Sequence, residues 1–267
     1  MPITKWRSAG RVFLFYALCV ALLIFTSKLA HPLQGLASLV FIGGIGAVFV
    51  WTSSWAFVRW DEATLASIGA RLRPGSAWKF FAGFALGLSL VGAHALLLHF
   101  AGHASFVRND AAQWQQIMLA FVGYSLLASR EELAFHGYPL RRLSIFWGPS
   151  RALGAVTLVF TLEHVAGGAD WFSAILGAGV GSILFGTGSL ATRGLAVPIG
   201  MHAAWNFGDW LRSSGGKIAG GPWIQSIEPG YEGRAAIVGW AGYVTLALAV
   251  VAGFWWWDRR RGQSGSP

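Results

Sequence analysis

Two adjacent carboxylates, Glu131 and Glu132, two histidines, His164 and His202, and one amide, Asn206, are the residues of this chain whose types and spacing could do chemistry. A carboxylate and two imidazoles can hold a divalent ion with one position open for water. They can equally polarise water directly by general-base action. Asn206 takes up no proton at working pH, but its NH₂ can donate to a developing oxyanion. Both arrangements describe hydrolysis. The first would take Zn²⁺ or another divalent metal as cofactor, with Glu131, His164 and His202 as its ligands.

The setting makes these groups expensive. The chain is 55% hydrophobic and only 12% charged, against roughly 25% charged content in soluble domains. That is the composition of a membrane protein, and a charged side chain near the bilayer centre costs roughly 2.5 to 3.5 kcal/mol on insertion scales. An acid there is read as a functional site with a partner. The competing reading places Glu131 and Glu132 at the water interface, where they would simply end a helix. The net charge of +9 does not imply a nucleic-acid partner, because the basic residues fall in short clusters between apolar runs. A single cysteine, Cys19, excludes an intrachain disulfide and a thiolate metal cluster.

The elements that must position the five residues are apolar runs of membrane-crossing length. The sequence predicts an all-α, polytopic transmembrane helix bundle of about eight spans, forming one domain over residues 1–267 of a multi-pass inner (plasma) membrane protein. A basic arm, 1–11, precedes Val12 to Ser27, which reads as a retained span rather than a cleaved signal. Leu36 to Val58, Phe80 to Phe100, Ala112 to Leu140, Ala152 to Gly167, Trp171 to Leu190, Gly194 to Leu211 and Ala235 to Trp257 follow, with a tail at 258–267. Between the second and third spans, Leu65, Ile68 and Leu72 have the spacing of a short helix on the membrane surface, or the segment is a solvated loop. Arg212 to Arg234, rich in Gly and Ser, reads as a long loop over one face of the bundle.

With the amino terminus inside, fourteen Lys and Arg, including Arg141, Arg142, Arg151, Arg193 and Arg259 to Arg261, fall on the cytoplasmic side. Only Lys28, Arg108, Arg212, Lys217 and Arg234 fall on the other, so the bias places both termini in the cytoplasm. Trp255 to Trp257 before the triple Arg read as an aromatic belt and anchor. Measured from cytoplasmic markers at 1.5 Å per residue, Glu131, His164 and His202 lie roughly 15, 20 and 14 Å deep. They converge on one level, and the cavity they surround is expected to open toward the cytoplasmic half. His202 and Asn206 share a helix face, as do Phe160 and His164. A lone intramembrane His is usually an interhelical hydrogen bond; two of them with a carboxylate and an amide at one depth favour function. Glu163 reads as a structural hydrogen bond, and His94, His99 and His103 as interfacial residues at the far surface. The glycines of 177–181 suit close helix packing.

Glu131-Glu132, Phe160-x-x-x-His164 and His202-x-x-x-Asn206, in that order on separate spans, resemble the EExxxR, FxxxH and HxxxN motifs of the CAAX-protease and bacteriocin-processing family of intramembrane endopeptidases. The resemblance covers 117–211. It implies that Glu131 and His164 activate water while His202 and Asn206 serve the metal or the oxyanion, on a peptide or membrane-protein substrate met in the lipid bilayer. Glu132 and Phe160 support the site. One residue departs from the pattern: the family's Arg is His136, four residues after Glu132 and on its face. An Arg would pair with Glu132 permanently, whereas a His does so as a cation only when protonated. Two other readings stand beside hydrolysis: a non-catalytic member acting in bacteriocin immunity or membrane-protein maturation, and a divalent-cation or proton transporter.

Overall fold

The computed structural model describes residues 5–213, 218 and 220–264, and it is almost entirely helical. Each of the eight apolar runs is a helix or a helix with an interruption. The first three are α1 (Lys5–Leu29), α2 (Gly35–Trp60) and α3 (Ser76–Gly102). The fourth is α4 (Trp114–Glu132), prolonged through a π-helical turn (Leu133–Gly137) into α5 (Tyr138–Trp147). Then come α6 (Pro149–Ala166), the short α7 (Trp171–Ser173), a second π-helical stretch (Ala174–Gly179), α8 (Val180–Thr192), α9 (Ala196–Leu211) and α10 (Glu232–Ser264).

Five helical stretches are long and apolar enough to cross a membrane: Trp6–Leu29, Gly35–Trp60, Ser76–Gly102, Trp171–Thr192 and Glu232–Arg261. The runs left out, those of α4, α6 and α9, are the three that carry the chemical residues. Polar side chains lower their mean hydropathy, and neighbouring helices bury what lipid would not accept. The outer faces of the others are apolar, with Phe13, Val48, Phe100 and Ile237 all exposed.

α9 lies against α3, α4 and α8, and α4 packs between α2 and α9. Small residues set these distances: a Cβ added at Gly87 on α3 would sit 2.7 Å from the Met201 carbonyl oxygen of α9. Backbones that close carry α9 into the middle of the bundle, with His202 5% exposed.

One connection takes the second of its two expected forms, a loop, and another differs from expectation. The segment between α2 and α3 is a succession of turns and holds no helix; Ile68 and Ala70 turn into the core while Leu72 is exposed. Gly69, at φ +73°, makes the reversal, and Leu195 N–H bonds to its carbonyl. The 212–234 connection contains a strand. β2 (Trp223–Ile227) pairs antiparallel with β1 (Ala104–Arg108), Phe106 opposite Gln225, which ties the end of α3 to the end of α9. The expected tail is helical as far as Ser264. Residues 1–4 of the basic arm, Lys217 and residues 265–267 lie outside the described residues.

Candidate active site

The site begins where α4 loses its regular ladder. Pro139 has no amide hydrogen to give the carbonyl of Phe135, and its ring crowds that carbonyl, so the helix cannot run through in α geometry. The chain responds with the π-helical turn Leu133–Gly137, every residue of which is buried. Pro139 was the signal in the sequence for this interruption.

Glu132 sits just before the turn with no solvent exposure. Its carboxylate can only accept, so two imidazoles donate to it: His136 Nδ1–H to Oε2 at 2.7 Å and His202 Nδ1–H to Oε1 at 2.9 Å. His136, the residue in place of the family's Arg, therefore does pair with Glu132. Its other nitrogen, Nε2, lies 3.2 Å from Ser182 Oγ, and Ser182 Oγ lies 3.1 Å from Thr157 Oγ1. Neither Ser182 nor Thr157 belongs to a motif, and sequence reasoning missed both. Ser182, His136 and Glu132 have the hydrogen-bond order of a nucleophile, a base and its orienting acid. All three are completely enclosed, which gives a substrate no approach to the Ser182 hydroxyl.

Glu131 faces differently. Its Oε1 accepts from Arg130 at 2.6 Å, and its Oε2 stands 3.5 Å from His202 Nε2. His202 thus spans the two carboxylates, one on each ring nitrogen, and its ring stacks on Phe185 at 4.4 Å and 11°. His164 Nδ1–H donates to the Phe160 carbonyl at 2.9 Å, which leaves Nε2 as the outward nitrogen. Phe160 is buried, its ring edge-on to Phe135 at 4.8 Å and 4.5 Å from His164.

His164, His202, Asn206 and Phe160 line one cavity of about 770 Å³. Asn206 makes no side-chain hydrogen bond among the described residues and is half-buried in that wall. The cavity runs past Asp209, Arg212, Gln225 and Glu232 to the end of the bundle where β1 and β2 pair. Its lining therefore extends toward the end opposite the clustered arginines, not toward the cytoplasmic half as expected. His94 is a second correction. It is not interfacial but 7% exposed, bonded through Nε2 to the Gly239 carbonyl at 2.8 Å, and part of the same wall. His103, bonded to Glu228 at 2.9 Å, does lie at the surface. Glu163 makes no side-chain hydrogen bond among the described residues; it lines a narrower cleft with Arg130, Tyr16 and Cys19.

Among the described residues, no three His, Cys, Asp or Glu side chains converge as metal ligands. Glu131 Oε2 and His202 Nε2 face each other, and His202 Nδ1 is committed to Glu132 and His164 Nδ1 to a carbonyl, which leaves the Nε2 atoms as the nitrogens open to a further partner. The expected Glu131, His164 and His202 set is not gathered around one point among the described residues.

Two imidazoles and an amide, from α6 and α9, thus line one cavity in an apolar bundle, with the Glu131 carboxylate of α4 3.5 Å from His202 but outside the lining itself. Residues 112–208 match the family model of the Rce1-like type II CAAX prenyl endopeptidases. The match takes in all three motifs and most of the core drawn from them, and it makes the chain similar to a membrane protease family. No curated protein matches the chain. Within the matched segment, His136 remains the departure, and Ser182 on α8 is its second partner.

Proposed function

We propose that this protein is an intramembrane endopeptidase with eight spans and both termini cytoplasmic, whose own residues activate water against a peptide carbonyl. The observation that carries the reading is the convergence of His164, His202 and Asn206 on one cavity, with Glu131 held against His202 at 3.5 Å. Glu131, oriented by Arg130 through Oε1, and His164, whose Nδ1–H is fixed by the Phe160 carbonyl, supply the two bases that hold the attacking water. Water loses a proton to Glu131 as its oxygen adds to the carbonyl carbon, and that proton is returned to the leaving amine as the C–N bond breaks. His202 Nε2–H, with both carboxylates balancing the imidazolium, and the Asn206 NH₂ donate to the tetrahedral oxyanion. Glu132 and His136 do not touch substrate; they hold the His202 ring.

The test is cleavage of a fluorogenic peptide library by the protein in nanodiscs beside Glu131→Gln and His164→Ala. Cleavage lost in both variants supports the reading, and cleavage retained in either refutes the assigned roles. A transporter is the second reading, favoured by the buried polar chain Thr157, Ser182, His136, Glu132 and His202 that links α6, α8, α4 and α9. Proton flux into liposomes that disappears in His136→Ala, with no peptide cut, would select it.

A further inference from the structure

Glu163 has no part in the proposed chemistry, and its surroundings within the chain leave it unaccounted for. It is half-buried on α6, and among the described residues it makes neither a hydrogen bond nor an ion pair. It follows Arg151 by twelve residues. That is roughly 18 Å along a helix, near the middle of a hydrocarbon core of about 30 Å. A carboxylate at that depth is costly without a partner. The cation of its cleft, Arg130, is engaged by Glu131 at 2.6 Å. The Tyr16 hydroxyl of the same cleft is buried and has no hydrogen-bond partner, so it does not reach Glu163 either. One guanidinium beside two carboxylates leaves the cleft with an uncompensated acid.

The shape of the cleft restricts what can supply the missing partner. α1 packs on α2 and α5, and the space beside α6 is floored by Arg130 of α4 and Gly46 of α2. Its rims are apolar and outward-facing, with Val20 of α1 46% exposed and Val159 of α6 36%. The cleft encloses about 50 Å³. A single water needs roughly 10–15 Å³ of such space, so the end of one side chain fits and a lipid or a length of peptide does not. An accessible acid at mid-depth, in a slot that size on an apolar outer face, is complementary to a membrane-spanning helix that reaches in with one basic side chain. We infer that the groove between α1 and α6 is a docking surface for the transmembrane helix of a partner membrane protein, and that a Lys or Arg near the middle of that helix pairs with Glu163. The inference goes beyond the endopeptidase reading and does not rest on it, because the pairing needs no cleavage. Arg130 and Glu163 adjoin Glu131 and His164 in the chain, so a helix seated there lies against the segments that carry both bases.

The experiment measures association in lipid. The full chain, dye-labelled at Leu72→Cys in a Cys19→Ser background, is placed in phosphatidylcholine vesicles with a labelled Leu–Ala model helix of about 20 residues whose central residue is Leu or Lys. Energy transfer reports the binding. The Lys helix is expected to associate about tenfold more tightly than the Leu helix. That preference should vanish in Glu163→Gln, and also when the Lys is moved about two helical turns from the centre. Equal association of the two helices with the protein that keeps Glu163 overturns the inference, and since that comparison alters only the model helix, it does not depend on a variant folding. A Lys preference that persists in Glu163→Gln belongs to another acid and overturns it as well. A preference that depends on Glu163, in a protein that cuts no peptide, would keep the docking surface and count against the endopeptidase reading. Cleavage by a protein that treats the two helices alike would do the reverse.

Discussion

His202 Nδ1 and Glu132 Oε1 lie 2.9 Å apart, joining α9 to the end of α4 across 70 residues of chain, while His136 Nδ1 lies 2.7 Å from the other oxygen of the same carboxylate. One fully enclosed acid therefore fixes the orientation of two imidazoles. Breaking a buried pair by removing one partner costs about 3–5 kcal/mol, so Glu132→Ala is expected to unfold at clearly lower temperature in detergent and to lose activity with it. An equally stable and active Glu132→Ala protein would show that the carboxylate positions nothing.

Glu131 and Asn206 should fail in different ways from Glu132. Glu131→Gln keeps the shape but not the base, and a loss of about 10² to 10⁴ in kcat is expected in a folded protein, with a lower melting temperature from the charge lost opposite Arg130. Asn206→Ala removes an oxyanion donor, for which about 10² to 10³ in kcat with little change in KM is expected. A raised KM at constant kcat for Asn206→Ala would move that residue from the transition state to ground-state binding.

His136 is held by Glu132 and Ser182, and α8 leaves it room at Gly186, where an added Cβ would lie 2.9 Å from the imidazole Cδ2. Gly186→Ala should cost about 1–3 kcal/mol through overpacking and lower activity by turning the ring. His136→Ala should lower activity, and His136→Arg should restore it by renewing the pair with Glu132. A folded but inactive His136→Arg protein would instead make the imidazole itself a participant.

The cavity lining extends to Glu232 and the paired strands, away from the arginine-rich end of the bundle. In a Cys19→Ser background, a membrane-impermeant thiol reagent applied to intact cells should label Glu232→Cys and spare Leu72→Cys, both exposed positions. Labelling of both from one side would contradict the proposed orientation.

Because the carboxylate and imidazole groups do not converge as three metal ligands, chelators should leave the cleavage rate within about twofold, far short of the 10- to 100-fold effects that follow even when only the outer support of a bound metal is disturbed. Tenfold inhibition reversed by one particular divalent ion would establish a metal requirement.

Much of this molecule is set by local pattern. Runs of apolar residues near membrane-crossing length marked eight helical stretches, because hydrogen-bonding backbone groups in lipid leave a helix little alternative, though the helices run well past the expected ends to Lys5, Trp147 and Ser264. The i,i+4 spacing of Glu132 with His136, and of His202 with Asn206, placed each pair on one face. Contacts between segments distant in the chain were not legible. Nothing near Ser182 or Thr157 marks them as partners of His136, and no periodicity foretells that Trp223–Ile227 would pair with Ala104–Arg108. Which end of the bundle the cavity opens at, and that His94 and Arg212 belong to its wall, depend on how α3, α9 and α10 lean together. Helix depth counted from charges gives a level in the membrane, but the free space at that level is decided by side-chain packing among helices far apart in sequence.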